Sequence, residues 1–175
     1  MTELDPPLSR PVTLADVPPA GREVNIVTSG KEREAVARLL QLPGIAALEA
    51  ALRVSPYGSD GLAVAGEVHA QLTQVCVVTG EAFESDVVAP VDIRFSPHGQ
   101  DPNAPLGPDE LVDPEAEDPP DLLVGGRIDL GAIVSEFLAL ALDPYPKKPG
   151  ASFSTHAEPG AESPFGALSS LTKRE

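Results

Sequence analysis

One cysteine and three histidines, Cys76, His69, His98 and His156, are all that this 175-residue chain offers as a thiol nucleophile and neutral-pH bases. Nucleophilic catalysis needs the nucleophile within hydrogen-bond reach of its base. His98 and His156 fall in proline- and glycine-rich stretches expected to be mobile, which is poor preorganisation for chemistry. His69 and Cys76 share one extended stretch, and at about 3.3 Å per residue they stand roughly 20 Å apart. They read as a surface histidine and a half-buried structural cysteine. A structural zinc ion takes four ligands, and one thiol without a second cysteine or a paired histidine at ligand spacing does not supply them. Gly125, Gly126 and Gly131 do not fit a dinucleotide fingerprint, and no phosphate loop is present. The acidic residues lack the ligand and glycine spacing of an EF-hand. These residues predict no catalytic, cofactor or metal site and no small-molecule substrate, so the chain reads as a non-enzyme.

Charge points to partners instead. There are 27 acidic against 12 basic residues, a formal net charge of -15, which repels polyanions at long range. Arg22, Lys31, Arg33, Arg38 and Arg53 are interleaved with Glu23, Glu32, Glu34 and Glu49. With no tryptophan, two tyrosines and five phenylalanines, no aromatic platform for stacking bases is available. A small local RNA contact survives this reasoning and an extended nucleic-acid grip does not. The charge fits a basic protein partner, or serves solubility alone. A single cysteine fits a reducing compartment. The N-terminus lacks a basic flank with an apolar run, and no window nears the 18 or so apolar residues of a membrane span, so the expected location is the cytoplasm, with no membrane contact.

The elements that must position any interaction surface centre on Gly61 to Phe95. Leu62, Val64, Val68, Ala70 and Leu72 share one parity against Glu67, His69, Gln71 and Thr73. Phe83, Val87, Ala89, Val91, Ile93 and Phe95 then share one parity against Glu84, Asp86, Asp92 and Arg94. Two strands with one buried face each, joined through a turn around Gly80, make a long β-hairpin. Upstream, Leu8, Val12 and Leu14 belong to an extended arm laid on the domain, and Arg22 to Thr28 forms a short strand. Ser29 and Glu32 have capping-box spacing for a helix with a Val36, Leu39, Leu40 stripe, stopped at Pro43-Gly44. Downstream, Leu122 to Arg127 adds a last short strand. Asp129 caps a helix whose Leu130, Ile133, Val134, Phe137 and Ala141 form one apolar face. From Ser96 to Asp121 there are eight acidic residues, many prolines and no lysine or arginine, so like-charge repulsion and fixed φ angles oppose compaction.

Gly66 to Glu81 (Gly-Glu-Val-His-Ala-Gln-Leu-Thr-Gln-Val-Cys-Val-Val-Thr-Gly-Glu), Ile128-Asp129-Leu130 and Ser163-Pro164-Phe165-Gly166-Ala167-Leu168 together resemble the YceD family, the large ribosomal RNA subunit accumulation proteins. The resemblance runs in order from about Arg10 to Leu171, with Gly66, Cys76, Asp129 and Leu130 as its motif positions. Many members carry a second cysteine three residues after the first, where this chain has Thr79, which removes the partner that a metal or disulfide there would need. Members also pair a strand with the hairpin at Ala46 to Val54. Together with the Pro56-Tyr57-Gly58-Ser59-Asp60-Gly61 turn that follows, that favours strand for a stretch whose alanines favour helix while Leu48, Ala50, Leu52 and Val54 alternate.

The expected fold is therefore α+β, a mainly antiparallel sheet built on the long hairpin and covered by two helices, with an acidic loop and a disordered tail. Residues 1–20 form the extended N-terminal arm. Residues 21–146 form a single domain with the acidic proline-rich loop 96–121 inserted, and 147–175 form a flexible tail. The resemblance implies a bacterial, non-enzymatic ribosome-biogenesis factor supporting synthesis, processing or stability of 23S ribosomal RNA. Its expected partner is a basic ribosomal protein, such as L32, whose gene commonly neighbours that of bacterial members, or a pre-ribosomal particle. The alternatives are direct action on precursor ribosomal RNA and a generic acidic adaptor. Asp109, Glu110, Asp113, Glu115, Glu117 and Asp118 in the loop, with Phe165 and Leu168 in the tail, are the expected partner-binding residues. The tail cluster reads equally as a docking motif or as a segment tucked onto its own domain.

Overall fold

The computed structural model describes residues 6–99 and 118–153. In chain order its elements are β1 (Pro11–Thr13), a 3-10 turn (Leu14–Asp16), β2 (Arg22–Val27), α1 (Gly30–Leu39), β3 (Gly44–Tyr57), β4 (Gly61–Val75) and β5 (Ala82–Ser96). Then come β6 (Asp121–Leu122), a 3-10 turn (Val124–Gly126), β7 (Arg127–Asp129) and α2 (Leu130–Ala141). The main sheet runs β2-β3-β4-β5-β6, antiparallel except for the parallel pair β5-β6, and β1 pairs with β7 in a separate two-stranded sheet.

Alternation of side chains dictates where the core lies. Ala50, Val68 and Ala89 stand in one cross-strand row and all three are buried, while the adjacent row Glu49, His69 and Val88 is exposed. A one-residue slip would exchange the rows, so burial of one face fixes the register. Both helices contribute to the single apolar cluster on that buried face, α1 through Val36 and Ala37 and α2 through Leu130, Ile133, Val134 and Leu138. At about 1.5–3 kcal/mol per large side chain removed from water, this one-sided layer is the main source of stability. The expected α+β arrangement of a mainly antiparallel sheet, a long hairpin and two helices holds, including the strand at Ala46 to Val54, which begins two residues earlier at Gly44 and carries an irregularity between Ile45 and Ala47.

Leu8 and Val12 of the N-terminal arm are buried in the same cluster, and Leu14 packs against it. The Ser29 capping box forms as its spacing predicts, with Ser29 N–H donating to Glu32 Oε2 at 2.7 Å and Glu32 N–H to Ser29 Oγ at 3.4 Å.

Three local expectations are corrected. Leu39 is exposed, and Ala37 shares the buried face with Val36 and the half-buried Leu40, because at 100° per residue a face centred on Val36, Ala37 and Leu40 leaves Leu39 outside it. Helix α1 also ends before Pro43-Gly44. Gln41 adopts φ 56°, and Leu42 N–H reaches Ala37 C=O at 2.9 Å while Gln41 N–H reaches Arg38 C=O at 3.3 Å, which is the Schellman closure with glutamine where glycine is preferred. Finally, Leu122 to Arg127 is not one strand. Only Asp121–Leu122 joins the main sheet, and the Val124–Gly126 turn then swings the chain away so that Arg127–Asp129 pairs with β1.

Candidate functional site

The motif positions of the hairpin are held by contacts rather than by chemistry. Gly66 lies between Leu52 of β3 and Val91 of β5, with φ 153°, and a Cβ there would stand 2.1 Å from Ala51 O and 2.9 Å from Leu52 Cα. No side chain fits without moving the neighbouring strand, so glycine is required where β4 passes this close to the backbone of β3.

Cys76 opens the hairpin turn. It is fully buried at 1% exposure, not half-buried as its position in the sequence suggests, because the chain beyond α2 returns to cover it. Val77 N–H donates to Pro146 C=O at 2.9 Å, and Lys148 Nζ reaches Glu81 Oε2 at 3.0 Å. The sulfur accepts from the Thr79 hydroxyl first of all, then from the backbone N–H groups of Lys148, Thr79 and Val78, and these donors outweigh burial to lower its pKa from 9.0 to about 7. Thr79 is thus a hydrogen-bond donor to the sulfur. His69 sits on the exposed face of β4, 3.3 Å from Glu67 Oε2, so the structure does not bring thiol and imidazole together. His98 is exposed, with Asp60 Oδ2 at 4.0 Å. Among the described residues, no group of three or more His, Cys, Asp or Glu is arranged to hold a metal ion, and no helix is long and apolar enough to cross a membrane.

Asp129 and Leu130 serve the fold. Asp129 Oδ1 accepts from Gly131 N–H at 2.8 Å and Ala132 N–H at 3.4 Å as the N-cap of α2, and Leu130, the first residue of that helix, is fully buried.

The feature with the most interaction potential is a groove of about 520 Å³ where β5 ends, walled by α2 and the segment leading into β6. Asp92, Asp118, Asp121 and Glu136 line it with carboxylates, alongside the apolar side chains of Ile93, Phe137 and Leu140. Leu140 is 75% exposed although it belongs to an apolar helix. Burial pushes the Asp121 carboxyl up, and among the described residues no cation forms an ion pair with it. Arg94 is the basic residue of this lining, its Cζ 6.0 Å from the Tyr57 ring centroid. Of the expected partner-binding residues, the structure places Asp118 in this groove. Asp109, Glu110, Asp113, Glu115, Glu117, Phe165 and Leu168, like His156, lie outside the described residues. Sequence reasoning missed Asp92, Asp121 and Glu136, because three segments distant in sequence bring them together. One available signal was Pro90, since proline within a sheet marks an edge strand.

The family model of the large ribosomal RNA subunit accumulation protein YceD matches residues 64–168. The chain belongs to the YceD family. No curated protein and no solved structure matches it. The YceD match begins at Val64 inside β4 and takes in the turn at Cys76, all of β5 and the Asp129 cap of α2. The name of the YceD family carries a role in accumulation of large-subunit ribosomal RNA.

Proposed function

We propose that this YceD-family chain is a non-enzymatic ribosome-biogenesis factor of the bacterial cytoplasm that supports synthesis, processing or stability of 23S ribosomal RNA by binding a basic ribosomal protein. Family membership carries the reading. The partner class is supported by the net charge of -15 and by the carboxylate-lined groove at the end of β5. A surface of this sign attracts Lys- and Arg-rich proteins and repels nucleic acid, accelerating association in a salt-dependent way. In this reading Asp109, Glu110, Asp113, Glu115, Glu117 and Asp118 steer the partner from a distance, and Phe165 and Leu168 add apolar contact.

The test is capture of the full chain from cells at low salt, with identification of what accompanies it and measurement of 23S ribosomal RNA in cells lacking it. Basic ribosomal proteins in the capture and a deficit of 23S ribosomal RNA are expected. RNA captured without protein would overturn the partner class, and unchanged 23S ribosomal RNA would overturn the role.

A further inference from the structure

Among the described residues, most of the outer side of β5 is left without a partner strand. Strand β6 pairs only with Phe95 and Ser96, so between Ala82 and Arg94 no described strand lies beyond β5. Antiparallel ladders alternate bonded and non-bonded residue pairs, and the hairpin end shows which residues are which. Cys76 N–H donates to Glu81 C=O at 2.9 Å. Counting down the register from that bonded pair, Gln74 with Phe83, Val68 with Ala89 and Gly66 with Val91 are bonded pairs. The odd-numbered residues of β5 therefore spend their main-chain groups on β4, and the even-numbered ones aim theirs outward. Ser96 agrees, since its C=O accepts Leu123 N–H at 2.8 Å from the outer side. Pro90 is even-numbered too, so its missing N–H costs the sheet nothing.

Glu84, Asp86, Val88 and Asp92 thus present outward main-chain groups and exposed side chains together. Their alternates Val87, Ala89 and Val91 face the core side, where the edge meets the exposed Leu140 of α2. An incoming strand would meet carboxylates on one of its faces and apolar surface on the other. Another copy of this chain pairing through the same edge would set carboxylates among carboxylates, which is destabilising. The charges fit lysine or arginine at alternate positions.

We propose that the outer edge of β5, from Glu84 to Asp92, takes an extended segment of a basic protein by strand addition, the segment alternating basic and apolar residues. This rests on the reading of a basic protein partner given above and adds where, and in what conformation, that partner is held. Main-chain hydrogen bonds supply affinity and the alternate side chains supply selection. The groove bounded by Asp118, Asp121 and Glu136 receives the end of that segment.

The probe is a synthetic peptide alternating lysine and valine, about nine residues long to span Glu84 to Asp92 at about 3.3 Å each, with a glutamate-valine peptide as control. Added to the full chain, the basic peptide is expected to slow amide hydrogen exchange at Glu84, Asp86, Val88 and Asp92 and to leave the already bonded odd-numbered amides unchanged. Val88→Pro deletes one outward donor in the register where Pro90 already stands, and should weaken the peptide at least tenfold with the thermal transition retained. Should that variant fail to fold, the pair Glu84→Lys and Asp86→Lys gives the same reading by repelling the peptide. Absence of peptide binding, equal protection of odd and even amides, or undiminished binding by whichever variant folds would overturn the proposal. Capture of basic ribosomal proteins by a folded edge variant as efficiently as by the native chain would overturn the edge and leave the partner reading standing. Peptide protection of the even amides in a chain that captures no ribosomal protein would support the edge and overturn the partner reading.

Discussion

Asp129 Oδ1 accepts the backbone N–H of Arg10 at 2.7 Å, across 119 positions of sequence. The same carboxylate caps α2 and takes the Ser9 hydroxyl through Oδ2 at 2.5 Å, and these donors hold its pKa below the ordinary value against partial burial. One side chain therefore fastens the N-terminal arm and begins α2. Helix caps are worth about 1 kcal/mol and hydrogen bonds to a charged group about 1.5–3 kcal/mol, so Asp129→Ala is expected to cost roughly 2–4 kcal/mol in urea unfolding and to expose the arm to proteolysis.

Gly131 tests the same junction from the helix side. A Cβ there would stand 2.5 Å from Leu8 O and 2.7 Å from Ser9 N. Alanine is the better helix former by about 1 kcal/mol, yet Gly131→Ala is expected to lower the melting temperature. Faster cleavage within residues 6–10 would accompany it, and a raised melting temperature would disprove the close approach.

The facing of β5 separates Val91 from its neighbour. Val91 is 3% exposed and Asp92 is exposed. A carboxylate buried without a partner costs several kcal/mol against a stability of about 5–15 kcal/mol, so Val91→Asp should abolish the cooperative thermal transition. Asp92→Val should shift stability by no more than about 0.5 kcal/mol. Equal losses would show that the facing is wrong.

Gln41 stands in the left-handed conformation that closes α1. Left-handed backbone costs a side-chain-bearing residue about 1–2 kcal/mol, and glycine escapes this at some cost in unfolded-state entropy. Gln41→Gly is expected to stabilise the fold by about 0.5–1 kcal/mol, read as a raised urea midpoint with an unchanged slope.

Cys76 predicts a pH dependence. Its folded pKa of about 7 lies below the 9.0 of a free thiol, so the folded state favours the thiolate. The stability this contributes is fully present above pH 9.0, shrinks as pH falls, and is gone below about 7. The difference in melting temperature between the native chain and Cys76→Ala should follow that window. Thr79→Val, which removes the leading donor, should move the thiolate absorbance titration upward. Purified protein carrying stoichiometric zinc would contradict a purely structural thiol.

The residues that announced themselves are those whose signal is local and periodic. Alternation from Phe83 to Phe95, the Ser29 and Glu32 pair and the Asp129 cap each depend on neighbours within a few positions, so sequence spacing carries them. What stayed hidden depends on distant partners. Three-residue strands such as Pro11–Thr13 and Arg127–Asp129 have no periodicity of their own, and only their pairing makes them strands. Leu138 is buried and Leu140 exposed on one apolar helix, a distinction set by what lies beside the helix. In the candidate site Asp118 came from a charge run, whereas Asp92, Asp121 and Glu136 meet through the topology. The outward direction of Glu84, Asp86 and Val88 needed the bonded pair at Cys76 and Glu81 to fix the phase.

The joining of β1 to β7 also sets an order of events during synthesis. Arg10 leaves the ribosome 119 residues ahead of Asp129, a delay of about 6–24 s at ordinary elongation rates. Through that interval the hairpin can form from contiguous chain, while Leu8 and Val12 wait without the surface that buries them. Contacts of such long sequence separation slow folding, so the pairing of β1 with β7 is timed by translation of the segment that leads into α2. A chain released before Asp129 has been added carries a first strand with nothing to pair with.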